Sequence, residues 1–238
     1  KRFERVLTFA ELDAFMADLI ERYRKWAALQ GDWKTIRDAS IRELVFPYPT
    51  YRKGQRRLAV AVYKTIRDGG KLFSQAPTGI GKTISALFPA VKAVGEGHAE
   101  KIFYLTAKTV TGQVAEAACG EMREKGLRMK TVTLTAKDKI CFLERRDCDP
   151  DACRYAKGHY DRVNDALYAM LQKEDVYDRE AIERYALEYS VCPFELSLDL
   201  TMWSDCMIAD YNYVFDPRAY LRRFFAAGRT YDYVFLID

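Results

Sequence analysis

The chain has 238 residues, of which 49% are hydrophobic and 30% are charged, a balance typical of a protein that folds around a core. The 38 basic and 34 acidic residues leave a net charge of +4, which is compatible with nucleic-acid binding but does not by itself indicate it. No apolar run has the length that a membrane span requires, so we expect no membrane partner.

The N-terminus lacks the charged-then-apolar pattern of a secretory leader. We therefore expect a cytoplasmic protein, of bacterial type and with a nucleoid-associated role, in which cysteines bind metal or act in catalysis rather than form disulfides. Because the chain begins at Lys1 and ends within a motif at Asp238, we also expect it to be a piece of a longer protein.

The first predicted element is an amphipathic helix that begins with a capping box of Thr8 and Glu11. Apolar residues recur at helical spacing to about Gln30, and Gly31 is predicted to end the helix. A second short helix is expected after this break. We interpret residues 1–45 as a helical N-terminal linker segment.

From residue 46 onward, strand-like and helix-like patterns alternate. The predicted helices span residues 55–68, 82–94 and 109–125, and the predicted strands span residues 71–75, 101–106, 130–134, 205–209 and 231–237. Such alternation predicts an α/β fold with a parallel sheet covered by helices.

The alternation fails between residues 137 and 199. This segment contains four of the six cysteines and two polar helices, predicted near residues 160–173 and 179–189. An insertion in a parallel-sheet domain is the simplest account. We therefore predict a mainly helical insert at 137–199 between two parts of one domain, residues 46–136 and 200–238.

The loop from Ala76 to Thr83 has the pattern of a phosphate-binding loop. In such a loop, backbone N–H groups at a helix N-terminus face the phosphates, glycines allow close wrapping, the lysine neutralises charge and the hydroxyl ligates magnesium. A chance glycine-rich turn is the alternative, but the predicted strand before the loop and the helix after it disfavour this interpretation. The predicted nucleotide-binding residues of the loop are Thr78, Gly79, Ile80, Gly81, Lys82 and Thr83.

Asp238 ends an apolar strand and fits the second half of the same site, where a carboxylate holds the magnesium ion that bridges the phosphates. Upstream, the amide of Gln55 can accept from and donate to an adenine edge, and an aromatic ring can stack on the base. A turn followed by a surface helix is the alternative there. We predict ATP and Mg²⁺ as ligands, Lys82 and Asp238 as catalytic residues, and Gln55, Arg52 and Phe46 as further nucleotide contacts.

Four cysteines of the insert have uneven spacing, with six, four and 38 residues between neighbours; they are Cys141, Cys148, Cys153 and Cys192. Zinc ribbons place their ligands in close C-x-x-C pairs, and no such pair occurs here. The spacing favours a four-iron cluster, with zinc as the alternative. Cys119 and Cys206 are predicted to be free buried thiols.

Basic and aromatic residues crowd the insert. Cationic groups attract phosphates, and rings offer stacking faces to unpaired bases. A solvated face in which neighbouring aspartates balance the charge is the alternative. The candidate DNA contacts in this segment are Lys137, Arg154 and Tyr155.

Together these features resemble the XPD/DinG-type iron–sulfur helicases of superfamily two. The resemblance is carried by Tyr51–Gln55, Gln75–Thr83, Tyr104–Thr109, Cys141, Cys148, Cys153, Cys192–Phe194, Ala209–Tyr213 and Leu236–Asp238. It implies a RecA-like P-loop motor domain with a 4Fe–4S cluster domain inserted before the DEAH box. It also implies ATP-driven 5′-to-3′ translocation on single-stranded DNA in repair or replication, with backbone contacts from Thr106, Thr109 and Gln113.

The resemblance further implies fork-type DNA as a substrate, a monomeric protein, and a second motor domain and an arch domain in cis. The DEAH glutamate would follow Asp238, so we expect the chain alone to hydrolyse ATP poorly. Lys137 and Asp210 stand where many relatives carry arginine and asparagine. The alternative function is a nucleotide-gated DNA-binding module that senses redox state or zinc without unwinding DNA.

Overall fold

The computed structural model describes residues 4–77, 79–107, 109–225 and 232–238. The chain divides into two units, residues 1–36 and residues 37–238. Within the described ranges, no helix combines the length and the apolar character needed to cross a membrane.

Helix α1 spans Phe9–Glu43 and begins with the predicted capping box. The Thr8 N–H donates to Glu11 Oε2 at 2.8 Å, and the Glu11 N–H donates to Thr8 Oγ1 at 3.3 Å. The predicted break at Gly31 is wrong, because the helix continues through this position. A glycine inside a helix costs only about 1 kcal/mol relative to alanine, and no proline follows to remove a backbone donor.

The remaining elements alternate largely as the sequence pattern predicts. The other helices are α2 (Gln55–Arg67), α3 (Lys82–Gly95), α4 (Thr109–Glu124), α5 (Lys137–Ile140), α6 (His159–Lys173), α7 (Arg179–Glu188), α8 (Pro193–Trp203), α9 (Asn212–Phe215) and α10 (Arg222–Phe225). The strands are β1 (Lys101–Thr106), β2 (Thr131–Thr133), β3 (Val176–Tyr177), β4 (Cys206–Asp210) and β5 (Tyr233–Ile237).

The five strands form one parallel sheet in the order β3-β2-β4-β1-β5. Strand β1 is buried along its whole length, as a strand covered on both faces should be. Helices α3 and α4 contribute Leu87, Val91 and Met122 to the core, and all three side chains are fully buried. The predicted α/β fold with a parallel sheet is confirmed.

The strand predicted at residues 71–75 is wrong, since these residues, all within the described part, have no regular secondary structure. Leu72 and Phe73 are adjacent, so a strand would point them to opposite faces. Phe73 is 95% exposed, and it therefore gains nothing from burial that could hold the segment extended.

The insert supplies a strand to the sheet. Helices α6 and α7 lie within one residue of their predicted bounds, but Val176–Tyr177 between them pairs with β2 as an edge strand. The Thr131 N–H also donates to the Asp175 carbonyl at 2.9 Å. Helix α8 crosses the predicted boundary at residue 199. Residues 137–199 are thus joined to the parallel sheet by backbone pairing.

Candidate functional site

The glycine-rich loop before α3 has the backbone that its sequence requires. Gly79 and Gly81 have φ angles of 81° and 80°, in the left-handed region that favours glycine. Lys82 begins α3, and its ammonium donates to the carbonyls of Ala76 and Pro77 at 3.2 and 3.3 Å. The lysine charge therefore lies over the loop. Ile80 is half-buried, and Thr78 lies outside the described residues.

Two further predicted nucleotide residues brace this loop. Arg52 Nη1 donates to the Gly79 carbonyl at 2.7 Å, and the Arg52 N–H donates to Gln55 Oε1 at 2.7 Å. Gln55 is only 2% exposed, and its amide nitrogen lies so close to Gly81 that a Cβ there would collide with it. Both side chains contact the loop backbone.

Phe46 lies apart from the loop in an aromatic cluster. Its ring stacks on Tyr51 with centroids 3.9 Å apart and meets the edge of Phe88 at 5.4 Å. One face of the ring is thus covered by protein. The structure brings Arg52 and Gln55 to the phosphate loop but packs Phe46 between α3 and the segment that precedes α2.

The Thr83 hydroxyl and the Asp238 carboxylate, the two predicted magnesium ligands, line one cavity of about 790 Å³. Lys82 and Tyr104 line the same cavity. The Asp238 N–H donates to the Leu105 carbonyl at 3.0 Å, which fixes the end of β5 against β1. A lysine, a threonine hydroxyl and a carboxylate in one cavity are the groups that bind a nucleotide phosphate with its magnesium ion. The structure thus brings the predicted residues Lys82, Thr83 and Asp238 to one cavity.

Tyr104, which lines the same cavity, was not among the site residues predicted from the sequence. Its hydroxyl donates to Asp238 Oδ2 at 2.9 Å, and Thr83 lines the same cavity. Burial and the neighbouring Asp238 carboxylate raise the pKa of Tyr104 far above its ordinary value, so the hydroxyl stays protonated. No local sequence signal marks such a residue, because the contact joins two strands that are far apart in the sequence.

A second cavity, a groove of about 510 Å³, lies at the carboxyl ends of β1, β2 and β4. Ligands of open parallel sheets bind at this edge. Thr106 and Gln113, two predicted DNA contacts, line the groove, and the insert adds Lys139 and Arg179. The side chain of Thr109 lies outside the described residues.

The other three predicted DNA contacts belong to the insert itself. Lys137 Nζ lies 3.7 Å from Glu195 Oε1. The guanidinium of Arg154 lies 4.6 Å from the centre of the Tyr155 ring, and that ring is 6% exposed and packs on Phe142. None of the three is among the described residues that line the groove.

The four cysteines of the insert are free thiols that differ in exposure: Cys153 is buried, Cys141 and Cys192 are half-buried, and Cys148 is exposed. Four thiolates are the donor set of a 4Fe–4S cluster, so the residue chemistry fits that group. In the part of the chain that the structure describes, no three His, Cys, Asp or Glu side chains converge as metal ligands. The prediction of a cluster is therefore supported by the type of its ligand atoms, four thiols, and not by their arrangement.

Two contacts link these cysteines to the rest of the insert. Burial opposes the charge of Lys137, but the nearby Cys148, Glu195 and Cys192 raise its pKa above the ordinary value. The Cys192 N–H donates to His159 Nδ1 at 3.2 Å. Lys137 thus lies next to two of the four thiols.

The remaining two cysteines behave as predicted. Cys119 of α4 and Cys206 of β4 are free and fully buried. They lie in the core between helix and sheet, away from the insert. Their prediction as free buried thiols is confirmed.

The parallel sheet, the glycine-rich loop at the start of α3 and the carboxylate at the end of β5 define a RecA-like P-loop domain interrupted by a mainly helical insert. Residues 105–238, more than half of the chain, match the DEAD_2 family, and the chain belongs to this family. The resemblance to XPD-type helicases is thereby confirmed.

Relatives of known description agree with this family. The general transcription and DNA repair factor IIH helicase subunit XPD of Dictyostelium discoideum is 22% identical over 199 residues, covering 73% of this chain and 26% of that protein. The regulator of telomere elongation helicase 1 homolog of Drosophila virilis is 22% identical over 231 residues, covering 73% of this chain and 22% of that protein. The chain therefore spans about a quarter of the length of these curated relatives.

Two other similarities are more limited in scope. A "Probable ATP-dependent helicase" of Methanocaldococcus jannaschii is 44% identical over 46 residues, or 19% of this chain and 7% of that protein. A solved XPD helicase structure superposes with a TM-score of 0.54 at 18% identity, covering 80% of this chain and 33% of its own. This structural likeness shows the fold alone.

Proposed function

We propose that this chain is the first motor domain of an ATP-dependent DNA helicase that moves 5′ to 3′ and acts in DNA repair or replication in the bacterial cytoplasm. The observation that carries the proposal is the meeting of Lys82, Thr83 and Asp238 in one cavity. The helicase descriptions of the relatives support it.

At the nucleotide, the N–H groups at the start of α3 would face the phosphates, and the Lys82 ammonium would exchange its loop carbonyls for phosphate oxygens. Thr83 and Asp238 offer the oxygen ligands that magnesium prefers. Arg52 would act on the nucleotide through the loop, whose Gly79 carbonyl it binds, and Gln55 would orient Arg52 by accepting from its N–H.

For DNA, the groove at the carboxyl edge of the sheet supports a single-strand path. Thr106 and Gln113 of the sheet domain face the groove together with Lys139 and Arg179 of the insert. The threonine, the glutamine and the two cations suit a sugar–phosphate backbone, and four carboxylates line the same groove, Glu116 and Asp210 in the sheet domain and Asp178 and Glu180 in the insert. We further propose that the protein acts as a monomer on fork-type DNA, with a second motor domain and an arch domain in cis.

The insert would hold a 4Fe–4S cluster through Cys141, Cys148, Cys153 and Cys192. When bound, such a cluster cross-links its four ligands and supports one-electron redox chemistry. Residues 141–158 have no regular secondary structure, whereas α6, α7 and α8 are well buried, so a cross-link to Cys192 would tie this irregular segment to the helices.

DNA-stimulated ATP hydrolysis by the full-length protein tests the function. Lys82→Ala is expected to abolish turnover because it removes the charge at the phosphates. Lys64→Ala, an exposed lysine on α2, is the matched control and should leave turnover unchanged. Turnover retained by Lys82→Ala would refute the assigned phosphate role.

Metal analysis tests the cluster separately. Protein purified without oxygen is expected to contain about four irons and four acid-labile sulfides per chain. Tightly bound zinc without sulfide would exclude the cluster. Strong DNA binding that needs no ATP, with no strand separation, would instead favour the nucleotide-gated sensing module.

A further inference from the structure

Tyr104 occupies the middle of the sheet at the point where the two halves of the nucleotide site meet. It lies on β1 opposite Ile208 of β4 and Leu236 of β5. Its side chain is 2% exposed, in a strand whose other ring, Phe103, packs in an aromatic cluster on the sheet. A tyrosine hydroxyl carried into this position must find hydrogen-bond partners or lose the solvation of its oxygen.

The hydrogen-bond directions around Tyr104 follow from the chemistry of the groups. An ionised carboxylate only accepts, so the single Tyr104 hydroxyl hydrogen goes to Asp238 Oδ2, 2.9 Å away. The Asp238 carboxylate is thus held by one of its two oxygens.

This direction leaves the metal-binding atoms available. The Thr83 hydroxyl oxygen has lone pairs that it can offer to a cation. Asp238 uses Oδ2 for the tyrosine and keeps Oδ1 for a cation or its water. Both atoms belong to residues that line the same 790 Å³ cavity.

We propose that Tyr104 is a positioning residue for the divalent cation of the nucleotide, because its hydroxyl holds Asp238 by one oxygen and leaves the other toward the cavity that Thr83 also lines. The inference rests on the proposed nucleotide-binding function. Magnesium demands near-ideal octahedral geometry, so the orientation of a few protein oxygens matters to its affinity. Loss of a residue that orients metal ligands weakens metal binding by about 10–100-fold in other sites.

The test is nucleotide binding by the full-length protein, measured with a fluorescent ATP analogue over a series of Mg²⁺ concentrations. Tyr104→Phe keeps the buried ring and removes only the hydroxyl. It should raise the Mg²⁺ concentration for half-maximal binding by about tenfold, the lower end of the range because phosphates and water supply most ligands. Affinity in excess chelator should stay unchanged, an outcome that damage to the whole site would not give.

Tyr177→Phe is the matched control, since Tyr177 is fully buried on the same sheet and its hydroxyl has no hydrogen-bond partner in the described part of the chain. It should leave the Mg²⁺ dependence unchanged. If Tyr104→Phe fails to fold, Tyr104→Leu places another apolar side chain in the strand and tests the same loss of the hydroxyl group. Adding Tyr104→Phe to Asp238→Asn should have little further effect, because the two act through one contact.

The outcomes separate the inference from the function. No binding of nucleotide by the wild-type protein at any Mg²⁺ concentration would overturn both. Binding by the wild type with an unchanged Mg²⁺ dependence in Tyr104→Phe would overturn the positioning role alone. An equal shift in the Tyr104 and Tyr177 variants would also overturn it, because the effect would then come from general packing.

Discussion

Asp175, just before β3, is the ionic connection between the insert and the sheet, and replacing it should loosen that connection. Its carboxylate accepts from Arg128 Nε at 2.6 Å and lies 3.4 Å from Lys130 Nζ. Lys130 in turn lies 5.6 Å from the centre of the Tyr177 ring. Asp175→Asn keeps the shape of the side chain and removes its charge, which leaves the Lys130 ammonium buried without this carboxylate.

The expected loss of stability follows from the burial of the pair. The Lys130 side chain is 4% exposed and that of Asp175 is 21% exposed. Removing one partner of a buried ion pair costs about 3–5 kcal/mol. Because Arg128 is half-exposed and the asparagine amide still accepts a hydrogen bond, we expect a decrease of about 2–3 kcal/mol in the free energy of unfolding.

The effect should disappear in acid. Burial would raise the pKa of Asp175, but the hydrogen bond from Arg128 and the charge of Lys130 lower it below its ordinary value of 3.8. A carboxyl with a lowered folded pKa contributes stability above its unfolded pKa and loses this contribution as the pH falls through the folded value. The difference between wild type and variant should be full at neutral pH and should shrink as the pH falls below 3.8.

Urea unfolding followed by circular dichroism measures this difference. Asp165→Asn, an exposed aspartate on α6, is the control and should change stability by less than about 0.5 kcal/mol. If Asp175→Asn and the control Asp165→Asn have the same free energy of unfolding at neutral pH, the ion pair does not hold the insert to the sheet. A loss that persists unchanged in acid would show that the charge is not its cause.

Two predictions concern the phosphate loop. Arg52→Ala should weaken nucleotide binding roughly tenfold in a fluorescence titration, because a charged hydrogen bond to the Gly79 carbonyl contributes about 1.5 kcal/mol. Arg56→Ala, which changes an exposed arginine of α2, should leave the affinity unchanged. Equal affinities of the two variants would contradict the role of Arg52 in holding the loop. Gly79→Ala should destabilise the protein in thermal unfolding by about 1–2 kcal/mol, because its φ of 81° is left-handed while the space for a Cβ is open. Gly120→Ala in an open helical position should be neutral or stabilising by about 0.5–1 kcal/mol, and a neutral Gly79 variant would exclude backbone strain.

Elements with a long internal period were predictable from the sequence. Strand β1 was predicted at Lys101–Thr106 and is observed there, and α6 begins one residue before its predicted start. In these segments, burial on a regular face determines the local structure. The continuation of α1 through Gly31 was missed because a single glycine is a weak break signal whose cost the neighbouring helical turns outweigh.

Features that depend on pairing partners were not predictable. Strand β3 has two residues, too few to show a period, and it exists because β2 offers an open edge. Residues 71–75 show the opposite case, a strand-like composition without a pairing partner in the described part. A strand is stabilised by its neighbours more than by its own residues.

The candidate site divides in the same way. The phosphate loop is local in sequence, so Lys82 and Thr83 could be assigned before the structure. Tyr104, Lys139 and Arg179 reach their cavities only through strand register and the docking of the insert. The pattern of the sequence identifies groups that act in a contiguous loop, but it does not reveal partners that a fold brings together from distant segments.

The pairing of Val176–Tyr177 with β2 limits how the chain can be cut or recombined. A deletion of residues 137–199 would remove an edge strand and leave the β2 N–H and C=O groups as a template for another chain. Domain grafts in this family should therefore keep the two β3 residues with the sheet, or supply a substitute edge. The modular unit for protein engineering is smaller than the insert that the sequence suggests.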